Sequence, residues 1–269
     1  MKAIFHDIVA DEIFLYALGD VHIGDRSCDL KTLRKYLEWI NAPNRYIILM
    51  GDWLNSATRE SKSDPLEQEL ILDEQKDLAH ELLEPFAKKG RILSAIRGNH
   101  ENRLRKAAGS DPMRDICLRL SIPYLGAGGV THIRVGSRAL RKTHYGIPNY
   151  IIYSHHTTGG GGKTIGGKIN RVQMLGEIFP AADVYIGAHN HFEAVGKTAL
   201  WDYDVRKRAI YRRDRAFMCS GSFLEWNKSY AEDNMMLPSS VGTPRIHLSG
   251  KERQMQVTLF LGEEREIGG

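Results

Sequence analysis

The sequence has few cysteines and no long apolar run, and these two absences argue against several classes of protein. Its three cysteines are far apart and form no CxxC pair, so neither a disulfide framework nor a cysteine zinc site is indicated. No apolar run approaches the roughly 18 residues of a membrane-spanning helix. Residues 1–12, MKAIFHDIVADE, carry acidic side chains where a signal peptide is apolar. We therefore expect a protein of the reducing cytoplasm with no membrane partner.

A large net charge is missing as well. The 37 basic and 33 acidic residues give a formal net charge of +4, which favours a polyanionic partner only weakly. A hydrophobic content of 42% and a charged content of 26% are typical of a soluble globular protein. Because the chain shows no repeat and no low-complexity linker, we predict a single domain over residues 1–269.

Short apolar runs followed by polar residues recur along the first two thirds of the chain. Helical patterns at 29–40 and 65–88 lie between some of them, and this alternation predicts an α/β fold with its site at the carboxyl ends of the strands. After residue 191 the runs are short and alternating, so we predict antiparallel strands and a substrate-facing segment over 192–269. The predicted strands of the first part are 13–20, 45–52, 91–102, 149–156 and 182–191.

The segment 154–168, SHHTTGGGGKTIGGK, has the composition of a phosphate-binding loop but not its spacing. A Walker A loop requires G-x-x-x-x-G-K-[ST] between a strand and a helix. In one frame Thr157 stands where the first glycine is required, and in the other Ile169 replaces the final hydroxyl residue. Both frames therefore miss by one residue, which argues against a P-loop.

Two other interpretations of this segment stay open. The four consecutive glycines predict a flexible loop, because glycine is costly to order. Alternatively, the loop belongs to the adjacent His155 and His156, its glycines let a phosphate substrate approach the backbone, and Lys163 or Lys168 holds the charge of that phosphate.

Five of the predicted strands end in residue types that bind metals. Carboxylates, imidazoles and amide oxygens suit manganese first, with iron, zinc, nickel or magnesium as alternatives, whereas calcium prefers oxygen ligands alone. Two such ions about 3.5–4 Å apart clamp a phosphoryl group and generate a hydroxide nucleophile. A pair of ions needs a bridging carboxylate, and we predict Asp52 for that role. The motifs are GDVH (19–22), GD (51–52), GNHE (98–101), HH (155–156) and HNH (189–191).

This ordered series resembles that of the calcineurin-like metallophosphoesterase superfamily over residues 19–191. The resemblance implies a four-layer αββα sandwich with a dimetal centre. It also implies that the first metal is bound by Asp20, His22 and His191, the second by Asn99, His189 and one histidine of 155–156, and both by Asp52.

The resemblance leaves two histidines to be assigned. The family motif places its ligand directly at the strand end, so we predict His155 as the metal ligand, with His156 as the second candidate and otherwise a substrate-side residue. His100 is not expected to bind metal. It would face the substrate as a catalytic residue, where one positioned acid contributes roughly 10²–10⁴-fold.

Two of the motifs also indicate which class of phosphate ester the protein hydrolyses. The second motif continues as GDWLNS (51–56), without the Val-Asp-Arg-Gly that supplies a phosphate-binding arginine in the protein phosphatase branch. The first motif, DVHIGD (20–25), is similar to the D-x-H-x-G start of bacterial and phage DNA-repair-type nucleases of the superfamily. These two features favour the phage or bacterial nuclease-like branch.

A basic segment after the motifs predicts the substrate contact. Residues 205–215 interleave basic and aromatic side chains, which suits a nucleic acid, and we predict substrate contacts from Arg206, Arg208 and Arg212. A solvated hairpin is the alternative, because acidic residues are interspersed.

The leading hypothesis is a metal-dependent phosphodiesterase that acts on nucleic acid, DNA in preference to RNA. A small-molecule phosphodiesterase, a phosphoprotein phosphatase and a non-catalytic scaffold that binds a partner are the alternatives. The sequence assigns no protein partner and no oligomeric state.

Overall fold

Two mixed sheets of six strands each lie at the centre of the computed structural model, which describes residues 1–58, 68–142, 146–158, 164–227, 229–233, 235 and 237–259. The strands are β1 (Lys2–Val9), β2 (Glu12–Leu18), β3 (Arg45–Leu49), β4 (Ile92–Ile96), β5 (Tyr124–Gly126), β6 (Gly128–Gly136), β7 (Asn149–His155), β8 (Val184–Gly187), β9 (Glu193–Asp204), β10 (Ala209–Ser220), β11 (Arg245–Ser249) and β12 (Met255–Thr258). The helices are α1 (Leu30–Ile40), α2 (Leu72–Ala87), α3 (Asn99–Ala108), α4 (Pro112–Arg119), α5 (Arg138–Lys142), α6 (Ile165–Gln173), α7 (Leu175–Ile178) and α8 (Tyr230–Asp233).

The strand order of each sheet places the predicted motif strands next to one another. Sheet A has the order β1-β6-β7-β8-β10-β9 and sheet B the order β12-β11-β2-β3-β4-β5. Strands β2, β3 and β4 are parallel neighbours in sheet B, and β7 and β8 are parallel neighbours in sheet A. The five predicted motif strands are therefore confirmed, and they divide between the two sheets. The strand predicted over 91–102 ends at Ile96, and its last residues, 99–102, form the start of α3.

Three hydrophobic cores separate four layers. The core between the sheets includes Leu15 and Ile48 of sheet B and Ile152 of sheet A, all fully buried. A second core lies between sheet B and helices α1, α2 and α4, and a third lies between sheet A and helices α6 and α7. This arrangement is the αββα sandwich, as predicted.

The helical patterns are confirmed with one shift. Helix α1 begins after Asp29, whose carboxylate accepts from the Thr32 N–H at 2.8 Å as an N-cap. Helix α2 begins at Leu72, later than the predicted residue 65; residues 59–67 lie outside the described residues, and 68–71 are not helical. The Gln68 side chain bonds instead to the Ala57 N–H and to the Gln75 amide.

The segment after residue 191 forms antiparallel pairs, as its alternating pattern predicts. Strand β9 pairs with β10 and β11 pairs with β12, both antiparallel. Strand β10 also pairs in parallel with β8, so the segment completes both sheets. Among the described residues, no helix has the length and apolar character needed to cross a membrane.

Candidate metal centre

The turns that follow β2, β3, β4, β7 and β8 bring their polar side chains together in one buried cluster. Three sets of donor atoms each lie within 4.8 Å of one another. The sets are Asp20, His22 and His191; His22, Asp52 and His100; and Asp52, His156 and His189.

The backbone at this cluster adopts a conformation that L-residues rarely use. Five non-glycine residues of the motifs have positive φ angles, which cost on the order of 1–3 kcal/mol each and persist only where the surroundings impose them. Asp and His tolerate this region better than most residue types. These residues are Asp20 (49°), His22 (54°), Asp52 (49°), His189 (74°) and His191 (54°).

Glu101 imposes the geometry of the turn after β3. Its buried carboxylate accepts hydrogen bonds from the backbone N–H groups of Asp52 (3.0 Å), Trp53 (2.8 Å), Leu54 (3.2 Å) and Gly98 (2.8 Å). Burial raises the pKa of Glu101 to about 7, and the negative charge of Asp52 adds to this effect. Glu101 therefore joins the turn that carries Asp52 to the start of α3. The sequence motif contained this residue, but its role was not predicted.

Gly98 allows the close contact between these two segments. A Cβ atom at this position would collide with the Asp52 carboxylate. Gly51, with a φ of 81°, faces the backbone of Gly98 in the same way. The glycines of the second and third motifs are therefore required by backbone approach.

Asp52 lies at the middle of the cluster. Its Oδ2 atom is 3.0 Å from Nε2 of His156, 3.9 Å from Nε2 of His100 and 4.0 Å from Nε2 of His22. Burial alone would raise the pKa of Asp52, but the surrounding histidines, His156 first, outweigh it and hold this pKa well below its usual range. The Asp52 carboxylate is therefore ionised. It lies beside His22, a predicted ligand of the first metal, and beside His156, a candidate ligand of the second, as a bridging ligand requires.

The structure brings His156, the second candidate, into the cluster and leaves His155, the predicted ligand, outside the donor sets of the described residues. Side chains alternate along a strand, and Tyr153 and His155 face the helices while Ile152, Ser154 and His156 follow the face between the sheets. Nε2 of His156 lies 3.1 Å from Oδ1 of Asn99 in addition to its contact with Asp52. His155 is in none of the donor sets found among the described residues.

The His156 ring is oriented by a backbone carbonyl. Its Nδ1 atom donates to the Met50 carbonyl at 2.7 Å, so the neutral ring would present the lone pair of Nε2 to the cluster. Burial lowers the pKa of His156, but the charges of Asp52 and Asp20 and the hydrogen bond to Asp52 outweigh it and raise the pKa to about 10.

The donor atoms fit divalent cations. Oδ1 of Asp20 and Nε2 of His22 are buried and have no hydrogen-bond partner among the residues that the structure describes, and such orphaned atoms cost about 1–3 kcal/mol each. Oδ1 of Asp20 lies 4.0 Å from Nε2 of His22 and 3.6 Å from Nε2 of His191. A cation among these atoms would satisfy them, and the mixed nitrogen and oxygen donors suit several transition metals.

His100 stands at the edge of the cluster. Its backbone N–H donates to Oδ1 of Asp52 at 2.8 Å, and its Nδ1 donates to the Asn55 carbonyl at 2.7 Å. The ring therefore presents Nε2 towards Asp52 and His22. Burial lowers the pKa of His100, and the charge of Asp52 opposes this shift.

Arg103 is a further cation at the site that the sequence reasoning missed. It follows His100 by three residues on α3, so both side chains lie on one face of the helix. Its Nε and Nη2 atoms are buried without a hydrogen-bond partner. Burial lowers the pKa of Arg103, and the negative charges of Asp52 and Glu101 oppose this shift. The signal was present in the sequence as the i, i+3 spacing from His100.

Of the predicted substrate contacts, His156 lies in the cluster and the three arginines do not. Lys163 lies outside the described residues, and the Nζ atom of Lys168 lies over the Phe192 ring, 5.8 Å from its centroid. Arg206, Arg208 and Arg212 lie at the far end of sheet A.

The direction of β10 explains why these three arginines lie far from the cluster. Beyond the carboxyl end of β10, the Phe223 N–H donates to the Asp20 carbonyl, so that end is the one at the cluster. Arg206 and Arg208 precede the amino end of β10, and the twelve residues of β10, Ala209–Ser220, span about 40 Å at roughly 3.3 Å per residue. The three arginines therefore do not contact a phosphate at the metal centre.

Comparison with known proteins agrees with this geometry. The sequence model of the family described as calcineurin-like phosphoesterase matches residues 15–193, about two thirds of the chain. That range contains every residue of the three donor sets. No curated protein sequence matches the chain. The chain therefore belongs to the calcineurin-like phosphoesterase family, and it is a metal-dependent phosphoesterase.

Proposed function

We propose that the protein hydrolyses phosphodiester bonds in nucleic acid, DNA in preference to RNA, at this metal centre. In the proposed arrangement Asp52 contributes to both ions. When bound, two divalent cations supply Lewis-acid stabilisation of the phosphoryl group and lower the pKa of a water molecule. The proposed ligands are Asp20, His22 and His191 for the first ion and Asn99, His156 and His189 for the second.

His100 is the proposed proton donor to the leaving oxygen. Its Nδ1 atom is held by the Asn55 carbonyl, so the proton that it can transfer is the one on Nε2. The lowered pKa of this buried ring makes the imidazolium a stronger acid than an exposed histidine. A general acid in this position contributes roughly 10²–10⁴-fold to the rate.

Arg103 is the proposed holder of a non-bridging phosphate oxygen. Its two orphaned donors would be satisfied by a phosphate, and an arginine fork fits two oxygens of one phosphate group. In this proposal Arg103 of α3 takes the role of the phosphate-binding arginine that the second motif lacks. Trp53 and Leu54, which follow Asp52 in that motif, are buried and apolar and do not bind a phosphate.

The single observation that favours a diester is the small number of cations at the centre. The charge of Arg103 acts on Asp52 at the middle of the cluster, and residues 53–56, which follow Asp52, include no arginine or lysine. A phosphomonoester carries a charge of about −1.5 to −2 at neutral pH, whereas a diester carries one negative charge. One guanidinium beside the ions therefore matches a diester better than a monoester.

A pair of model esters tests the reaction class. The protein is stripped with a chelator, reloaded with manganese and given bis-p-nitrophenyl phosphate or p-nitrophenyl phosphate. We expect faster cleavage of the diester, strongly reduced in Asp52→Asn and reduced in His100→Ala, with Asp25→Asn, outside the donor sets, as the charge-matched control. Cleavage of the monoester alone would contradict the proposal and favour a phosphoprotein or small-metabolite substrate.

Nucleic acid is tested next. Single-stranded and double-stranded DNA and RNA of one sequence are incubated with the reloaded protein, and we expect DNA fragments that Asp52→Asn does not produce. Turnover of the model diester without cleavage of any nucleic acid would favour a small-molecule phosphodiesterase. Absence of all turnover in a protein that holds two ions would favour a binding scaffold.

A further inference from the structure

Part of the β9–β10 hairpin projects from the sandwich as a two-stranded arm, defined here as residues 197–215. Strand β10 pairs with β8 only over Ala216–Cys219. Residues 209–215 of β10 pair with β9 alone in the described part of the chain. A lone two-stranded hairpin is marginally stable in water. Because the arm adds little to the stability of the fold, we expect its surface to serve a function.

One face of the arm exposes large apolar and aromatic side chains. Trp201 lies directly opposite Arg212 and Tyr203 directly opposite Ile210, so the four share a face. Trp201 is 70% exposed, Tyr203 54% and Ile210 72%, and Val205 of the turn is 77% exposed. Exposed apolar residues that are contiguous, rather than scattered, mark a contact surface.

The arm carries the whole net charge of the protein. It contains seven basic and three acidic residues, a net charge of +4, and the rest of the chain contains 30 residues of each sign. The basic residues are Lys197, Arg206, Lys207, Arg208, Arg212, Arg213 and Arg215. A neutral body with a basic projection concentrates the attraction for a polyanion on the arm.

The acidic residues of the arm do not neutralise its turn. Asp214 contacts Lys197 at 2.5 Å and Arg212 at 3.6 Å. The carboxylate of Asp204 accepts the backbone N–H groups of Arg206 and Lys207, at 2.9 and 3.0 Å. Asp204 therefore orders the turn through the backbone and leaves the guanidinium of Arg206 and the ammonium of Lys207 exposed. The carboxylate of Asp202 accepts from the Tyr211 hydroxyl at 3.0 Å.

A cleft at the root of the arm adds to this surface. It has a volume of about 590 Å³ and lies between Tyr211–Asp214 of the arm and three residues that follow β11, namely Arg253 and Gln254 of the β11–β12 turn and Met255 of β12. Arg213 is fixed there by the carbonyls of Ala181 and Pro180, and Arg253 pairs with Asp183. The volume is of the size that holds a small organic group.

We propose that the arm binds single-stranded nucleic acid at a site separate from the metal centre. Bases stack on Trp201 and Tyr203, and phosphates contact the turn cations and Arg212. The inference rests on nucleic acid as the substrate class. A single strand fits better than a duplex because only unstacked bases offer their faces to an aromatic ring. About 40 Å separates the turn from the centre, and a stacked strand covers it with about 12 nucleotides at roughly 3.4 Å each.

Fluorescence anisotropy with a 30-nucleotide thymidine strand tests the inference. All proteins carry Asp52→Asn and are measured with a chelator, so that neither cations nor cleavage affect the result. The first variant combines Arg206→Ala, Lys207→Ala and Arg208→Ala, and the second combines Trp201→Ala and Tyr203→Ala. The charge-matched control combines Lys31→Ala, Lys35→Ala and Arg138→Ala, three exposed residues of α1 and α5.

We expect both arm variants to bind at least tenfold more weakly than the control. The triple arm variant should also reduce the slope of log K against log salt by about 2, since each phosphate contact contributes roughly 0.7 on a single strand. Equal affinity of arm variants and control would overturn the inference. So would a change from dimer to monomer in the aromatic variant by light scattering, which would make the arm a subunit interface.

These outcomes are independent of the reaction at the metal centre. If the wild-type protein binds the strand through the arm but cleaves no diester, the proposed function fails and the arm stands as a binding site. If the wild-type protein cleaves DNA while the arm variants bind as tightly as the control, the arm fails and the proposed function stands.

Discussion

The metal centre and the arm both gather charged and aromatic side chains, but they do so in opposite ways. At the centre the groups are buried or half-buried, of both signs, and held on a backbone with positive φ at Asp20, Asp52 and three histidines. On the arm they are exposed, mostly of one sign, and held on regular strands. Chemistry needs donors fixed before the substrate arrives, whereas binding a flexible polymer needs adaptable contacts and long-range attraction.

The largest expected effect separates the two regions directly. Asp52→Asn keeps the shape of the side chain but removes the charge that sits among His22, His100 and His156. We expect diester turnover to fall by roughly 10³-fold, because a preorganised electrostatic group is lost. Anisotropy on the thymidine strand should be unchanged in metal-free protein. A parallel loss of strand binding would show that the centre and the arm are not separate sites.

Proton release on metal binding should be the next largest effect, and it belongs to the centre alone. The pKa of His156 is raised to about 10 in the metal-free protein, so a cation must displace a proton at neutral pH. Apparent affinity should therefore rise up to tenfold per pH unit between pH 7 and 9. Calorimetry in buffers of different ionisation enthalpy measures the released protons.

The raised pKa of His156 also affects the stability of the metal-free protein. Metal affinity rises with pH, whereas this contribution to stability falls with pH. Because the folded pKa of His156 lies above the unfolded value of about 6.5, its contribution to metal-free stability is full below about pH 6.5 and is lost as the pH rises through about 10. His156→Ala should remove both effects, and His155→Ala should keep both. Proton release that persists in His156→Ala would contradict this assignment.

Arg103→Ala should have an intermediate effect on substrate and none on stability. A charge-assisted hydrogen bond contributes about 1.5–3 kcal/mol, so inorganic phosphate should bind the manganese-loaded protein roughly tenfold to a hundredfold more weakly by calorimetry. The melting temperature should not fall, because the variant removes two donors, Nε and Nη2, that have no hydrogen-bond partner among the described residues. Arg103→Lys should restore part of the affinity.

Arg105→Ala is the control for this substitution, since Arg105 is exposed on the same helix. A fall in melting temperature without a change in phosphate affinity would make Arg103 a structural residue.

The smallest expected effect belongs to the arm. The hydrogen bond from Lys197 lowers the pKa of Asp214, so the pair contributes stability above the unfolded pKa of Asp, about 3.9, and loses it as the pH falls through the folded value. The Lys197 side chain is exposed and Asp214 is partly exposed, and pairs in contact with solvent are weak. Asp214→Asn should therefore shift the melting temperature by no more than about 1 °C at pH 7. A large shift would show that the arm is as tightly ordered as the centre.

The sequence predicts most of the centre because each motif directly follows a buried strand. Parallel strands place their carboxyl ends together, so residues as distant as Asp20 and His191 meet without any local signal. The sequence argument ranked His155 first because it used the distance from the strand end, which is a weaker guide to a shared face than the alternation of side chains. Ile152 and Ser154 already marked the face that His156 shares.

The position of the arm could not be predicted in this way. Its basic and aromatic composition is visible in the sequence, but the pairing of β10 with β8 is parallel and non-local. That register sends the turn at 205–208 to the end opposite the metal centre. A strand pairing in the other direction would have placed the same arginines beside the substrate.

The most direct test of the metal centre is a count of bound ions. Wild-type protein, His156→Ala and His155→Ala are stripped, reloaded with manganese, freed of excess metal and measured by mass spectrometry of the elements. We predict two ions per chain in the wild-type protein and in His155→Ala, and no more than one in His156→Ala. One ion or none in the wild-type protein, or a loss that follows His155 instead of His156, would contradict the account.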